Sequence, residues 1–161
     1  MKTTLAFLFS LMILMSLAVA QDRAVMEPPV IQSDPDVVKF SVRFSSLSPA
    51  QDYRVGVGSV GPGLSKVQLE LTSDGSPVQA EVVEFKQGYT SSWWGVDELS
   101  ARGFQIQGNL IPPKDAVLSL RVTVPKPDAD KVGKLYVFVA RQYAGSVWYV
   151  EDGTELTREF W

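Results

Sequence analysis

The chain carries no histidine and no cysteine among its 161 residues. That removes Ser-His-Asp and Cys-His catalysis, zinc and haem sites built on those ligands, and thiol redox chemistry. Past the first twenty residues no Ser-x-x-Lys occurs, so the simplest serine–lysine signature is also missing. Carboxylates remain. Glu81 with Glu84, and Asp97 with Glu98, are the nearest pairs. A carboxylate-dependent hydrolase needs two acids facing each other across a cleft. Glu81 and Glu84 differ in parity along a strand, so without a bulge they face opposite sides, and solvated charge on a sheet face is the ordinary reading. Asp34-x-Asp36 and Asp128-x-Asp130 present oxygen ligands of the kind calcium takes. Asp is equally a turn residue, and no glycine-bearing loop of EF-hand spacing is present. The expectation is no cofactor, with calcium at Asp34, Asp36, Asp128 and Asp130 as the alternative.

The aromatic residues are the other candidates. Tyr89, Trp93, Trp94, Tyr143, Trp148, Tyr149 and Trp161 fall in or beside expected loops. On an extended chain one of Trp93 and Trp94 points inward and the other outward. An outward tryptophan near Asp97 and Glu98 would stack on a sugar ring while the acids accept its hydroxyl protons, or would anchor a protein interface. Packing within the core is the plain alternative. The candidate ligand-binding set is therefore Tyr89, Trp93, Trp94, Asp97 and Glu98, with no catalytic residue and no metal ligand beyond the aspartates above.

These side chains need a scaffold, and residues 134–150 read as its centre. Leu135, Val137 and Val139 point one way, and Tyr136, Phe138 and Ala140 the other. A strand apolar on both faces is covered on both. Five residues containing Gly145 then suit a hairpin loop, and residues 147–150 return as a second apolar strand. Glu151-Asp152-Gly153 reads as a turn, and residues 154–161 as a last strand placing Leu156 with Phe160.

Clean alternation marks residues 37–44, 66–72 and 117–124 as half-buried strands. Residues 54–60 alternate valine with Gly56 and Gly58, the mark of a bulge or a close backbone approach. Gly61-Pro62-Gly63 follows in place of a helix, which disfavours a phosphate loop. Asp74-Gly75 is a turn, and residues 78–85 return with a change of phase that predicts a bulge or change of sheet near Val82 and Val83. Residues 97–102 suit one helical turn closed by Gly103, and residues 104–107 a short strand. Residues 125–130 read as a connecting loop. Short strands separated by turns, with little helix, predict a single antiparallel β-sandwich of immunoglobulin-like type.

Residues 1–20 differ from the rest. Lys2 precedes an apolar run, and Ala18-Val19-Ala20 supplies the small residues a signal peptidase reads. The run is shorter than the roughly 20 apolar residues of a membrane span. Cleavage after Ala20 is expected, leaving residues 21–36 as an extended segment or linker and 37–161 as the sandwich domain. No later stretch reaches transmembrane length. The formal charge is −3. Losing the leader removes Lys2 and no acid, leaving −4 with basic residues scattered singly, which disfavours nucleic acid and anionic membranes as partners. Absence of cysteine and of Asn-x-Ser/Thr points to a bacterial periplasmic or extracellular protein.

The C-terminal third, from Val132-Gly133-Lys134-Leu135-Tyr136-Val137 through Val147-Trp148-Tyr149 to Gly153 and Trp161, resembles modules of bacterial exported proteins, some pilus-associated or surface-borne. Those modules close a β-sandwich with a Gly-Lys-x-Tyr-Val strand, a Trp-Tyr strand and a terminal tryptophan. Residues 157–160, Thr-Arg-Glu-Phe, depart from the shorter, more turn-like approach expected there. The resemblance implies fold and carries over no functional residue. The expected function is a non-catalytic binding or structural module of a bacterial envelope or extracellular assembly, its partner a protein or a cell-surface polysaccharide. A carbohydrate-binding module using Trp93 and Trp94 is the first alternative, and a small carboxylate-dependent hydrolase the second.

Overall fold

The computed structural model describes residues 23–32, 34–61, 63–88, 98–111 and 116–161. Among the described residues the chain is mostly β, with two antiparallel sheets and one short helix. The strands are β1 (Val25–Met26), β2 (Val30–Gln32), β3 (Val37–Ser45), β4 (Tyr53–Ser59), β5 (Gln68–Ser73), β6 (Ser76–Pro77), β7 (Glu81–Gly88), β8 (Glu98–Ile106), β9 (Leu118–Pro125), β10 (Lys134–Gln142) and β11 (Trp148–Thr157). Sheet I runs β1-β3-β9-β5-β6, with β2 also pairing with β3; sheet II runs β11-β10-β4-β8-β7.

The alternation of β3 and β9 sends Val38, Phe40, Val42, Phe44, Leu118, Leu120, Val122 and Val124 into the core. Val55 and Val57 of β4, Phe104 and Ile106 of β8, Leu135, Val137 and Val139 of β10 and Leu156 of β11 meet them from sheet II in one apolar cluster. Burial of this kind is the main force holding the two sheets face to face. The strand expected to be covered on both faces is so covered: all six residues 135–140 are buried. Tyr136, Phe138 and Ala140 belong to a second cluster with Leu99 and Ala101, on the face of sheet II turned away from sheet I.

Five local readings are corrected. First, Glu151-Asp152-Gly153 makes no turn. Strand β11 runs on through it, because Val139 pairs with Asp152 and Ala140 with Val150, so Glu151 is the extra residue of a β-bulge. Second, Glu98 to Arg102 is strand and not helix, paired residue for residue with β4 and β7. Third, of the bulge or change of sheet expected near Val82 and Val83, no bulge occurs, and β7 is in unbroken register. The chain changes sheet between Pro77 and Glu81, where Val78 and Ala80 pack against the core. Fourth, the loop after β9 is the helix α1 (Lys126–Val132). Pro127 in its first turn and left-handed Gly133 at φ 75° after its last are the usual helix punctuation. Fifth, the final strand ends at Thr157, so Leu156 is buried while Phe160 sits exposed in a 3-10 turn.

Residues 25–26 and 30–32 pair with β3 as an edge strand interrupted at Pro28-Pro29. Among the described residues, no helix is long and apolar enough to cross a membrane.

Candidate functional site

The β10–β11 hairpin places aromatic side chains on both faces of sheet II. Its loop is held by Tyr143 N–H donating to the Val147 carbonyl at 2.8 Å and Val147 N–H to the Ala144 carbonyl at 3.0 Å. Tyr143, Val147 and Tyr149 project from this tip, 69%, 51% and 46% exposed. The two tyrosine rings meet edge-on, centroids 5.7 Å apart and planes at 64°. Large apolar side chains at such exposure, within seven residues, form a patch that water alone does not favour.

Strand alternation turns Trp148 to the other face. There the Arg54 guanidinium carbon lies 4.0 Å from the centroid of the Trp148 ring and 4.6 Å from that of Phe85. Arg54 Nε donates to Gln105 Oε1 at 3.2 Å. Its cation is thus held by two π faces in a partly desolvated place, and burial pulls its pKa below the ordinary guanidinium value. Phe85 meets Phe138 edge-on at 6.1 Å. Beneath Phe138, Gly56 and Gly103 stand opposite each other in the β10-β4-β8 register.

Burial also governs two tyrosines. The Tyr53 phenol is raised above its ordinary value chiefly by desolvation, although Ser48 N–H donates to its oxygen at 2.9 Å and favours the phenolate. Tyr136 is raised for the same first reason. A phenol with a folded pKa above its unfolded value contributes stability that is complete below the unfolded value of about 10 and lost as pH rises through the folded one. Alkaline titration followed by tyrosinate absorbance should therefore leave part of the signal of the five tyrosines delayed until the protein unfolds. Complete ionisation with the far-ultraviolet spectrum still native would contradict this.

At the edge of β11 the bulge presents two acids. Glu151, nearly fully buried, lies with Oε1 2.9 Å from Arg141 Nε and accepts the Ala24 N–H at 2.8 Å. Asp152 accepts the Met26 N–H at 2.8 Å and its own neighbour Gly153 N–H at 2.8 Å. Sheet II thereby holds the first strand of sheet I by its backbone.

Of the residues expected at a ligand site, Tyr89, Trp93, Trp94 and Asp97 lie outside the described residues. Glu98 opens β8, exposed, and pairs with Lys86 at 3.2 Å. Glu81 and Glu84 stand on an unbulged strand opposite Gln105 and Arg102, so they face opposite sides. A groove of about 410 Å³ beside β7 and β8 has Glu84 as the one acid in its lining, with Leu64, Lys86, Ser100 and Arg102. A second, of about 590 Å³, is lined by Ile31, Pro35, Val37, Phe160 and Trp161 with Asp34, Lys126 and Glu159.

Three of the four aspartates weighed for calcium have carboxylates engaged within the protein. Asp34 accepts from Lys39 Nζ at 2.9 Å and Asp36 N–H at 3.1 Å, and these two bonds hold its carboxyl below the usual carboxylate value. Asp128 accepts from Ser65 Oγ at 2.7 Å. Asp130 accepts from Trp161 Nε1 at 2.9 Å through Oδ1 and from Arg158 through its carbonyl. No three His, Cys, Asp or Glu side chains among the described residues are grouped to hold one ion.

Two features escaped the sequence. Arg54 reads as an outward strand residue, and only the fold brings Phe85 and Trp148 to its two sides. The acid pair within β11 reads as turn chemistry, since nothing local marks a bulge. No protein-family model matches the chain, and no curated protein is significantly similar to it.

Proposed function

We propose that the chain is an exported, non-catalytic binding or structural module of a bacterial envelope or extracellular assembly, built as an immunoglobulin-like β-sandwich and released by cleavage after Ala20 into the periplasm or beyond. The observation that carries the binding reading is the hairpin tip, where Tyr143, Val147 and Tyr149 stand exposed together. Tyrosine there supplies a large contact area at low entropic cost, as it does in protein interfaces. The planes at 64° do not make the flat platform on which a sugar ring stacks. A protein partner at this tip is therefore preferred to a polysaccharide, and the sugar alternative rests on Trp93 and Trp94.

The full-length chain, expressed in a bacterial host, should be recovered outside the cytoplasm with an intact mass starting at Gln21. Mature protein should capture a partner from its own envelope extract, and Tyr143→Ala/Tyr149→Ala should lose that partner while keeping its circular dichroism. Retention in the cytosol with the leader intact, or capture that ignores both tyrosines, would overturn the reading.

A further inference from the structure

Sheet edges invite pairing with other chains, and proteins usually blunt them. Most edges here are blunted. Strands β1 and β2 are two and three residues long and are parted by Pro28-Pro29. Strand β6 is two residues ending in Pro77, and residues 68–71 of β5, beyond it, carry the single charge Glu70. Strand β11 is long, but it holds a bulge and three acids, Glu151, Asp152 and Glu155, with no basic residue, so it repels a second copy of itself.

Strand β7 lacks the shortness, proline and bulge that blunt the others, and its charges are of both signs. It is eight residues long, without proline and in unbroken register with β8. Its composition, with Val82, Val83 and Phe85, favours extended pairing. Among the described residues no strand pairs with its outer edge. Its charges have both signs: Glu84 and Lys86 share one face, their side chains 79% and 73% exposed.

We infer that β7 is the edge through which two copies of this chain pair, antiparallel about a twofold axis at Phe85. In an antiparallel ladder centred on Phe85, Glu84 of each copy stands opposite Lys86 of the other. Opposite charges at directly facing positions stabilise a ladder and like charges oppose it. The twofold makes this pair twice and joins two five-stranded sheets into one of ten strands. The existing links from Lys86 to Glu98 at 3.2 Å and from Glu84 to Arg102 at 3.9 Å are solvated and leave both side chains room to serve the second copy. This pairing stands on the sheet edges alone; it goes beyond the binding reading at the hairpin tip and fails or holds independently of export.

Sedimentation velocity on the mature chain over a concentration series should show a monomer–dimer equilibrium that weakens as salt is raised. Glu84→Lys and Lys86→Glu each set like charges opposite one another and should raise the dissociation constant about tenfold or more. The double variant Glu84→Lys/Lys86→Glu restores opposite charges and should return the dimer. Glu98→Lys breaks the intrachain link to Lys86 without changing a residue of β7 and should leave the dimer intact. Circular dichroism checks the fold of each variant; should a single reversal fail to fold, the salt series and the double variant still decide. A monomer at every concentration, a dimer indifferent to both reversals, or a double variant no better than the singles would overturn the inference.

Discussion

Gly103→Ala should unfold the protein or come close to it, with a loss on the order of 4 kcal/mol or more. A methyl carbon at Gly103 would lie 2.2 Å from the Val55 carbonyl oxygen and 2.7 Å from the Gly56 Cα. Both neighbours are backbone, so no side-chain rotation relieves the contact. The strands would have to part where β4 and β8 face each other, and β4 is the middle strand of sheet II. Gly56 sets the matching limit from the other side, with a Cβ 2.6 Å from the Arg102 carbonyl oxygen. The pair lets the two backbones close while Phe138 covers them from β10, the arrangement by which an aromatic ring compensates a glycine in a sheet. Gly75→Ala is the comparison: its φ of +84° is strained for alanine but nothing lies within 4 Å, so the cost should be roughly 1–2 kcal/mol. Urea unfolding of both variants checks the contrast. Equal midpoints would mean that the two strands are not in this close register.

The same close approach explains what the sequence reveals and what it conceals. Residues 37–44 and 117–124 are legible because each lies in sheet I with one face on the core, and a half-buried strand writes its period into its residues. Strand β8 is legible only at its end, residues 104–106. Phe104 and Ile106 face the core, but Ser100 and Arg102 share that face further along and remain partly in water. Leu99 and Ala101 are buried on the opposite face instead. The alternation thus changes sides within one strand, and Glu-Leu-Ser-Ala-Arg-Gly resembles a helix ending in its glycine. Pairing to both neighbours decides against that local preference. Helix α1 was concealed in the opposite way: seven residues with two prolines flanking the start and aspartates inside resemble a loop, yet Ala129 buries itself fully and Gly133 closes the last turn. For the candidate site, adjacency in sequence was enough to send Trp148 and Tyr149 to opposite faces. The Arg54 stack depends on β10 lying between β4 and β11, a fact of topology that no local pattern encodes.

Arg141→Met should cost about 3–5 kcal/mol, because it leaves the Glu151 carboxylate buried without its cation, and Glu151→Leu should also destabilise, because it removes the acid that Arg141 pairs with. The side chains are 18% and 4% exposed and 2.9 Å apart, so little solvent remains to take up a lone charge. The double variant should lose clearly less than the sum of the two, with a coupling of about 2 kcal/mol, since two apolar side chains in that place leave neither charge behind. Glu151 has a second duty that Arg141 lacks: it accepts the Ala24 N–H. Every variant at Glu151 should therefore speed hydrogen exchange at Ala24, whereas Arg141→Met should leave that amide protected relative to its lowered global stability. Asp152→Ala, which removes the acceptor for the Met26 and Gly153 N–H groups, should cost about 1–2 kcal/mol and speed exchange at the Met26 amide. Strictly additive losses in the cycle would mean that the ion pair is not coupled. Unchanged exchange at Ala24 in the Glu151 variants would mean that Glu151 does not hold the first strand, which then rests on its pairing with β3 and on Asp152.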